Sequence, residues 1–203
     1  MKHWSLGLLV VVSTQVWGGS LASPASTPEA PSSPPTSSSD HSTATIPTSL
    51  TPSLKLLGEV IVSDTRVPLW KVGQVVGEAS SIEQFVFEKQ HVLREMGEQV
   101  KSQVCATICQ HLASSNEFGM TVTTVKARAH CPVVAVCPNG MIETKWSVHT
   151  HDKESEFLAT SVDRLFGEKE RVVQEPNMFS KKDLQKNFLF LVAPDVVLLF
   201  DTM

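Results

Sequence analysis

Between Ile82 and Leu112 apolar side chains return every three or four positions, at Ile82, Phe85, Val86, Leu93, Met96, Val100, Val104, Ile108 and Leu112. That is the 3.6-residue period of a helix with one buried stripe. Ser80 and Glu83 stand before it in capping-box spacing, in which hydroxyl and carboxylate satisfy backbone N–H groups that the first turn leaves unpaired. The spacing predicts one long helix running to about Ser114, with room for a bend at Gly97 and an exit at Gly119. Ahead of it, Leu54 to Ser63 and Val67 to Val76 are β-rich and joined through Asp64-Thr65-Arg66, a strand pair with a turn.

Behind the helix the period changes to two. Thr121 to Ala129 and Met141 to Thr150 flank Pro138-Asn139-Gly140, and Asn-Gly is a strong hairpin signal. In the second of these strands Ile142, Thr144, Trp146, Val148 and Thr150 share one face, which is read as core. Glu143, Lys145, Ser147, His149 and, just beyond, His151 share the other, which is read as solvent-facing. A second amphipathic helix is expected over about Lys153 to Gly167, with Phe157, Leu158, Val162, Leu165 and Phe166 inward. Asn187 to Val192 and Val196 to Phe200 read as strands around Ala193-Pro194-Asp195. The expected fold class is α+β, an antiparallel sheet packed against one long and one shorter helix, with the ferredoxin-like strand and helix order possible.

The first 53 residues do not belong to that pattern. Lys2 and His3, an apolar run from Leu6 to Val12 and the small-x-small group Ser20-Leu21-Ala22 make residues 1–22 a secretory signal peptide. Residues 23–53 are dominated by Ser, Thr, Pro and Ala, a composition that cannot bury enough surface to order itself. In a secreted chain such a stretch reads as an O-glycosylated stalk or linker. Residues 54–203 are then one domain, of a size that buries about 70% of its unfolded surface. This layout is similar to that of SEA modules, but the Gly-Ser-valine cleavage turn those modules carry is absent and no family is assigned. Gln74-Val75-Val76-Gly77 is similar to the inhibitory hairpin of cystatins, yet it precedes the long helix where cystatins place it after.

Charge and cysteine content narrow the function classes. The net charge is −4, with Lys and Arg scattered among Asp and Glu, so no basic stripe offers itself to nucleic acid or an anionic membrane. No segment of the sequence is long and apolar enough for a transmembrane span. Cys105, Cys109, Cys131 and Cys137 are an even set in a secreted chain, which favours two disulfides. Taken in order, Cys105 with Cys131 and Cys109 with Cys137 would close loops of about 27 to 29 residues, worth roughly 3 to 4 kcal/mol each. They would staple the helix to the hairpin. One helical turn separates the first pair, however, whereas six extended residues span about 20 Å, so the CPVVAVCP segment would have to bend. The rival pairing joins Cys131 to Cys137 and leaves Cys105 and Cys109 free, and a four-cysteine zinc site is a third option with no common spacing behind it.

Candidate chemistry is sparse. His149-x-His151 puts two imidazoles on one strand face, where they could approach one metal with His130 or Asp152 as third ligand. No nucleophile elbow, zincin motif or phosphate loop is found, and no cofactor is expected. Cysteine catalysis by Cys109 with His111, or Cys131 with His130, would need free thiols. Trp70 and Phe179 could mark a binding patch. The reading that follows is a secreted or surface-associated, non-enzymatic module that binds another extracellular protein. The alternatives are a metal-binding protein or small hydrolase using His149 and His151, and a self-associating coat component.

Overall fold

The computed structural model describes residues 10–12, 53–186 and 188–201. The signal-peptide features other than residues 10–12, the cleavage site and all of the stalk but Ser53 lie outside these residues. The first hairpin forms as the sequence suggests, β2 (Lys55–Val62) against β3 (Thr65–Glu78). Ser63 and Asp64 take φ of 46° and 62°. Two successive left-handed residues are what a two-residue type I′ turn requires. Gln74 to Gly77 sits inside β3, paired along its length with β5 (Glu117–Thr124), and forms no hairpin tip.

The long helix α1 covers Ile82–Val100, capped one residue later than the spacing implied, by the Ser81 hydroxyl accepting from Gln84 N–H at 3.2 Å. Its apolar stripe is the expected one, with Phe85, Val86 and Leu93 buried and Ile82, Met96 and Val100 packed beside them. It does not reach Ser114. Lys101 turns into the left-handed region at φ 51° and ends it, and β4 (Cys105–His111) follows. Val104 and Ile108 misled because a spacing of four keeps two side chains on one face of a helix and also on one face of a strand. In β4 residues 105 to 109 are all buried, as suits a strand covered on both sides.

The fold class expected from sequence is therefore wrong. The protein is mostly sheet, and α1 is its one helix of more than a few residues among those described. Seven strands form one mixed sheet in the order β10-β9-β6-β4-β5-β3-β2, and the short β1 (Val10–Val12) adds to its β10 edge. In this sheet β6 (Met141–Thr150) pairs with β4 on one side and with β9 (Phe188–Val192) on the other. The β6–β9 pairing is parallel, and β9 turns back into β10 (Val197–Asp201). The ferredoxin-like order is not adopted. The expected hairpin of residues 121–129 with β6 does not form either, because residues 125–140 cross over the sheet and β4 lies between β5 and β6. Gly140, at φ 80°, ends that crossing rather than closing a two-strand loop.

The expected second helix, Lys153 to Gly167, is instead β7 (Glu156–Leu158), which pairs with β8 (Arg171–Val173), and a five-residue α2 (Ser161–Leu165). Its apolar residues serve two different clusters. Phe157 packs with Ala159 and Val172, while Val162, Leu165 and Phe166 pack on Val62, Val67, Leu69, Val125 and Ala127. Thr160 caps α2 between them in a capping box with Asp163. Asp163 is fully buried and also accepts from the N–H groups of Arg128 at 3.1 Å and Ala129 at 2.8 Å. Asp163→Ala strands three backbone donors, counting that of Thr160. At about 1 to 3 kcal/mol per orphaned group, a loss of at least 3 kcal/mol in chemical denaturation is expected, and a loss below 1 kcal/mol would contradict this account.

The two faces of the sheet are thus covered differently. On one, α1 buries Val104, Ala106, Ile108, Met120, Val122, Val148, Phe190 and Val192. On the other lie the irregular segment after β5, α2 and the connection leading to β9. The functional site is in that second layer.

Candidate functional site

Two disulfides hold the second layer in place, Cys105–Cys131 and Cys109–Cys137, with Cα separations of 5.9 and 5.8 Å. They staple a strand, not a helix, to the crossing segment. The mismatch in span is about halved for the same reason, since four residues of β4 extend about 13 Å against about 6 Å along a helix. No free cysteine remains, so neither Cys109 with His111 nor Cys131 with His130 offers a thiolate.

His149 and His151 do not face solvent. They share a face of β6 as the period of two requires, but His149 is 3% exposed and His151 8%. The strand face read as open is roofed by the stapled segment and by residues 174–186. Roof and strand enclose a cavity of about 190 Å³, bounded by Gln103, His130, Pro132, Phe166, Lys182 and Lys186 among others, with the two histidines and Asp183 in its wall.

Asp183 is the third member. It lies at the start of a single 3-10 turn (Asp183–Gln185), itself buried, and is fixed by a reciprocal cap in which Asp183 Oδ2 accepts from Ser180 N–H at 2.9 Å and Ser180 Oγ accepts from Asp183 N–H at 3.2 Å. Its Oδ1 stands 3.5 Å from His149 Nε2 and its Oδ2 3.7 Å from His151 Nε2, while the two Nε2 atoms are 3.2 Å apart. The candidate third ligands from sequence are elsewhere. Asp152 accepts from Arg128 at 2.6 Å, and His130 pairs with Glu168 at 2.6 Å and Lys182 at 3.2 Å.

The hydrogen bonds assign protons. His151 Nδ1 lies 3.2 Å from Pro176 O, a carbonyl that only accepts, so Nδ1 carries the proton and Nε2 the lone pair. Gln174 Nε2 donates to that lone pair at 2.8 Å. His149 Nδ1 is buried with no partner among the described residues. Burial holds the His149 imidazole down to about 4 against the pull of Asp183, so it is neutral near pH 7. Burial pushes the Asp183 carboxyl upward, but the imidazoles of His149 and His151 outweigh it and keep it well below the usual carboxylate range. Two imidazoles and one carboxylate are a first-row transition-metal donor set, and the three ligand atoms lie within 4.8 Å of one another. Zinc bonds of about 2.0–2.1 Å imply tetrahedral edges of about 3.3–3.4 Å, close to the 3.2 Å between the two Nε2 atoms, while each imidazole faces a different oxygen of Asp183. The Pro176 carbonyl behind His151 and the Ser180 cap behind Asp183 are the outer contacts that orient such ligands.

Asp183 was not legible as a ligand. The one signal was Ser180-Lys181-Lys182-Asp183, a capping-box spacing that fixes a turn and says nothing about which strand it meets. Trp70 and Phe179 form no patch, as each is half-buried, the first under Lys126 Nζ at 4.7 Å and the second packed on the cluster of Leu191, Ala193 and Leu198. No helix among the described residues is long and apolar enough to cross a membrane. No protein-family model, curated protein or solved structure matches the chain.

Proposed function

We propose that the protein is a secreted, disulfide-stapled module that binds one divalent transition metal, zinc by preference, through His149, His151 and Asp183. The observation that carries this reading is the convergence of two imidazoles and one carboxylate, all buried, beside a cavity. Three protein ligands leave a fourth position open toward that cavity, the pattern of reactive rather than purely structural zinc sites. Metal entry requires that the proton between His149 Nε2 and Asp183 move to the unpartnered His149 Nδ1, freeing Nε2 for the zinc, and that the Gln174 amide leave His151. Secretion rests on the leader sequence and agrees with two disulfides.

A second reading, capture of another extracellular protein, is favoured by one observation. Among the described residues the outer strand β2 pairs only with β3, and it leaves Leu56 at 54% and Ile61 at 66% exposed, an edge suited to strand addition. One experiment separates the two. Purified protein stripped with chelator, loaded with a small molar excess of zinc and dialysed against zinc-free buffer is expected to retain one equivalent by elemental analysis, and the double variant His149→Ala/His151→Ala none. Zinc below a tenth of an equivalent in the parent protein would remove the metal reading and leave β2 as the functional feature.

A further inference from the structure

The charge around the candidate centre does not balance once a metal is placed there. In the cavity wall Asp183 is the one carboxylate, facing Lys182 and Lys186. Lys182 is already compensated, its Nζ lying 3.1 Å from Glu168 Oε1 and 3.3 Å from Phe166 O. Lys186 Nζ makes no hydrogen bond or ion pair among the described residues, and the Asp183 carboxylate is the negative charge that shares the cavity wall with it. A divalent ion bound to Asp183 takes that charge for itself. The cavity then holds a metal with an open position and an uncompensated ammonium, and both seek the same thing, an anion.

The rest of the wall says which kind. Ala129, Pro132, Val133 and Phe166 give it an apolar side. Phosphate or sulfate would leave oxygens there without donors, whereas an organic carboxylate turns a hydrocarbon end to it. At about 30 Å³ per water the volume is that of roughly six waters, room for a carboxylate with a short aliphatic tail.

We propose that the metal-loaded centre binds a small aliphatic carboxylate, one end of which completes the metal's coordination and pairs with Lys186 Nζ while the tail lies against Val133 and Phe166. The carboxylate is either that of a free short-chain acid or the C-terminal end of a peptide. The inference rests on the metal reading, and the test keeps the two apart by using cobalt(II) as a coloured substitute for zinc.

Cobalt titrated into chelator-stripped full-length protein is expected to give the intense visible bands of a tetrahedral site at one equivalent, which reads the metal centre alone. Butyrate is then expected to shift those bands saturably, and butyramide to leave them unchanged. The tripeptide Ala-Ala-Val, free and C-terminally amidated, separates the sources: a response to the free acid form identifies a peptide end, and a response to butyrate alone a small acid. Lys186→Met should keep the cobalt bands and bind butyrate at least tenfold more weakly. Cobalt bands indifferent to both butyrate and the tripeptide, or an unaltered response in Lys186→Met, overturn the carboxylate proposal while the metal reading stands. Absence of the bands in the parent protein overturns both.

Discussion

Zinc at a thousandfold excess over its dissociation constant is expected to raise the unfolding free energy of the domain by about 4 kcal/mol. The ligands come from β6 and from the turn at Asp183, two parts of the chain that only the folded state brings together, so an unfolded chain binds the ion far less tightly. Guanidinium unfolding followed with zinc and with a chelator should show the midpoint shift, with equal slopes in both media. In His149→Ala/His151→Ala the two curves should coincide. A zinc-dependent shift that survives in this variant would place the ion elsewhere and sink the assignment. Asp183→Asn sharpens the test, since it keeps the shape of the side chain and removes the charge that balances the ion.

Loss of the disulfides should cost nearly as much, and unequally for the site. Cys105–Cys131 closes 26 residues and Cys109–Cys137 28, so each contributes about 3 to 4 kcal/mol by chain entropy. Replacing either pair by alanine should lower the unfolding free energy by that order, and replacing both should leave little folded protein. Cys105, however, is the register partner of His149, and Cys131 lies in the cavity wall, while Cys109 pairs with Glu143 near the opposite end of β6. The Cys105→Ala/Cys131→Ala protein should therefore lose zinc affinity beyond its loss of stability, and the other pair should not. Calorimetric titration of zinc into both variants checks this, and equal affinities would show that the roof holds its position without the nearer bridge.

How much of this was legible depends on whether two periods agreed or conflicted. The β2–β3 hairpin and β6 were readable because alternation and turn residues pointed the same way. The helix α1 was readable until Val100, and β4 was lost because Val104, Ile108, Cys105 and Cys109 recur at a spacing that helix and strand share. The region after Thr150 was misread because Phe157 and Leu165, which fit one helical face, serve two separate clusters. The in-order disulfide pairing was one of the options the sequence left open, and the element that carries Cys105 and Cys109 was misread. For the site, the sequence placed His149 and His151 on one face and could not see the roof, since burial there comes from segments distant in the chain. Asp183 depends on that same tertiary contact.

The parallel pairing of β6 with β9 places an order on events as the chain is made. Parallel strands need a long crossover, and here the crossover is the stretch that carries Gln174, Pro176, Ser180 and Asp183. None of these can be held opposite His149 and His151 until β9, which follows them in the chain, has docked beside β6. Non-local pairing of this kind is slow to form. A partly folded chain therefore offers two histidines and no third ligand, so on the metal reading proposed above tight zinc capture would require the completed sheet.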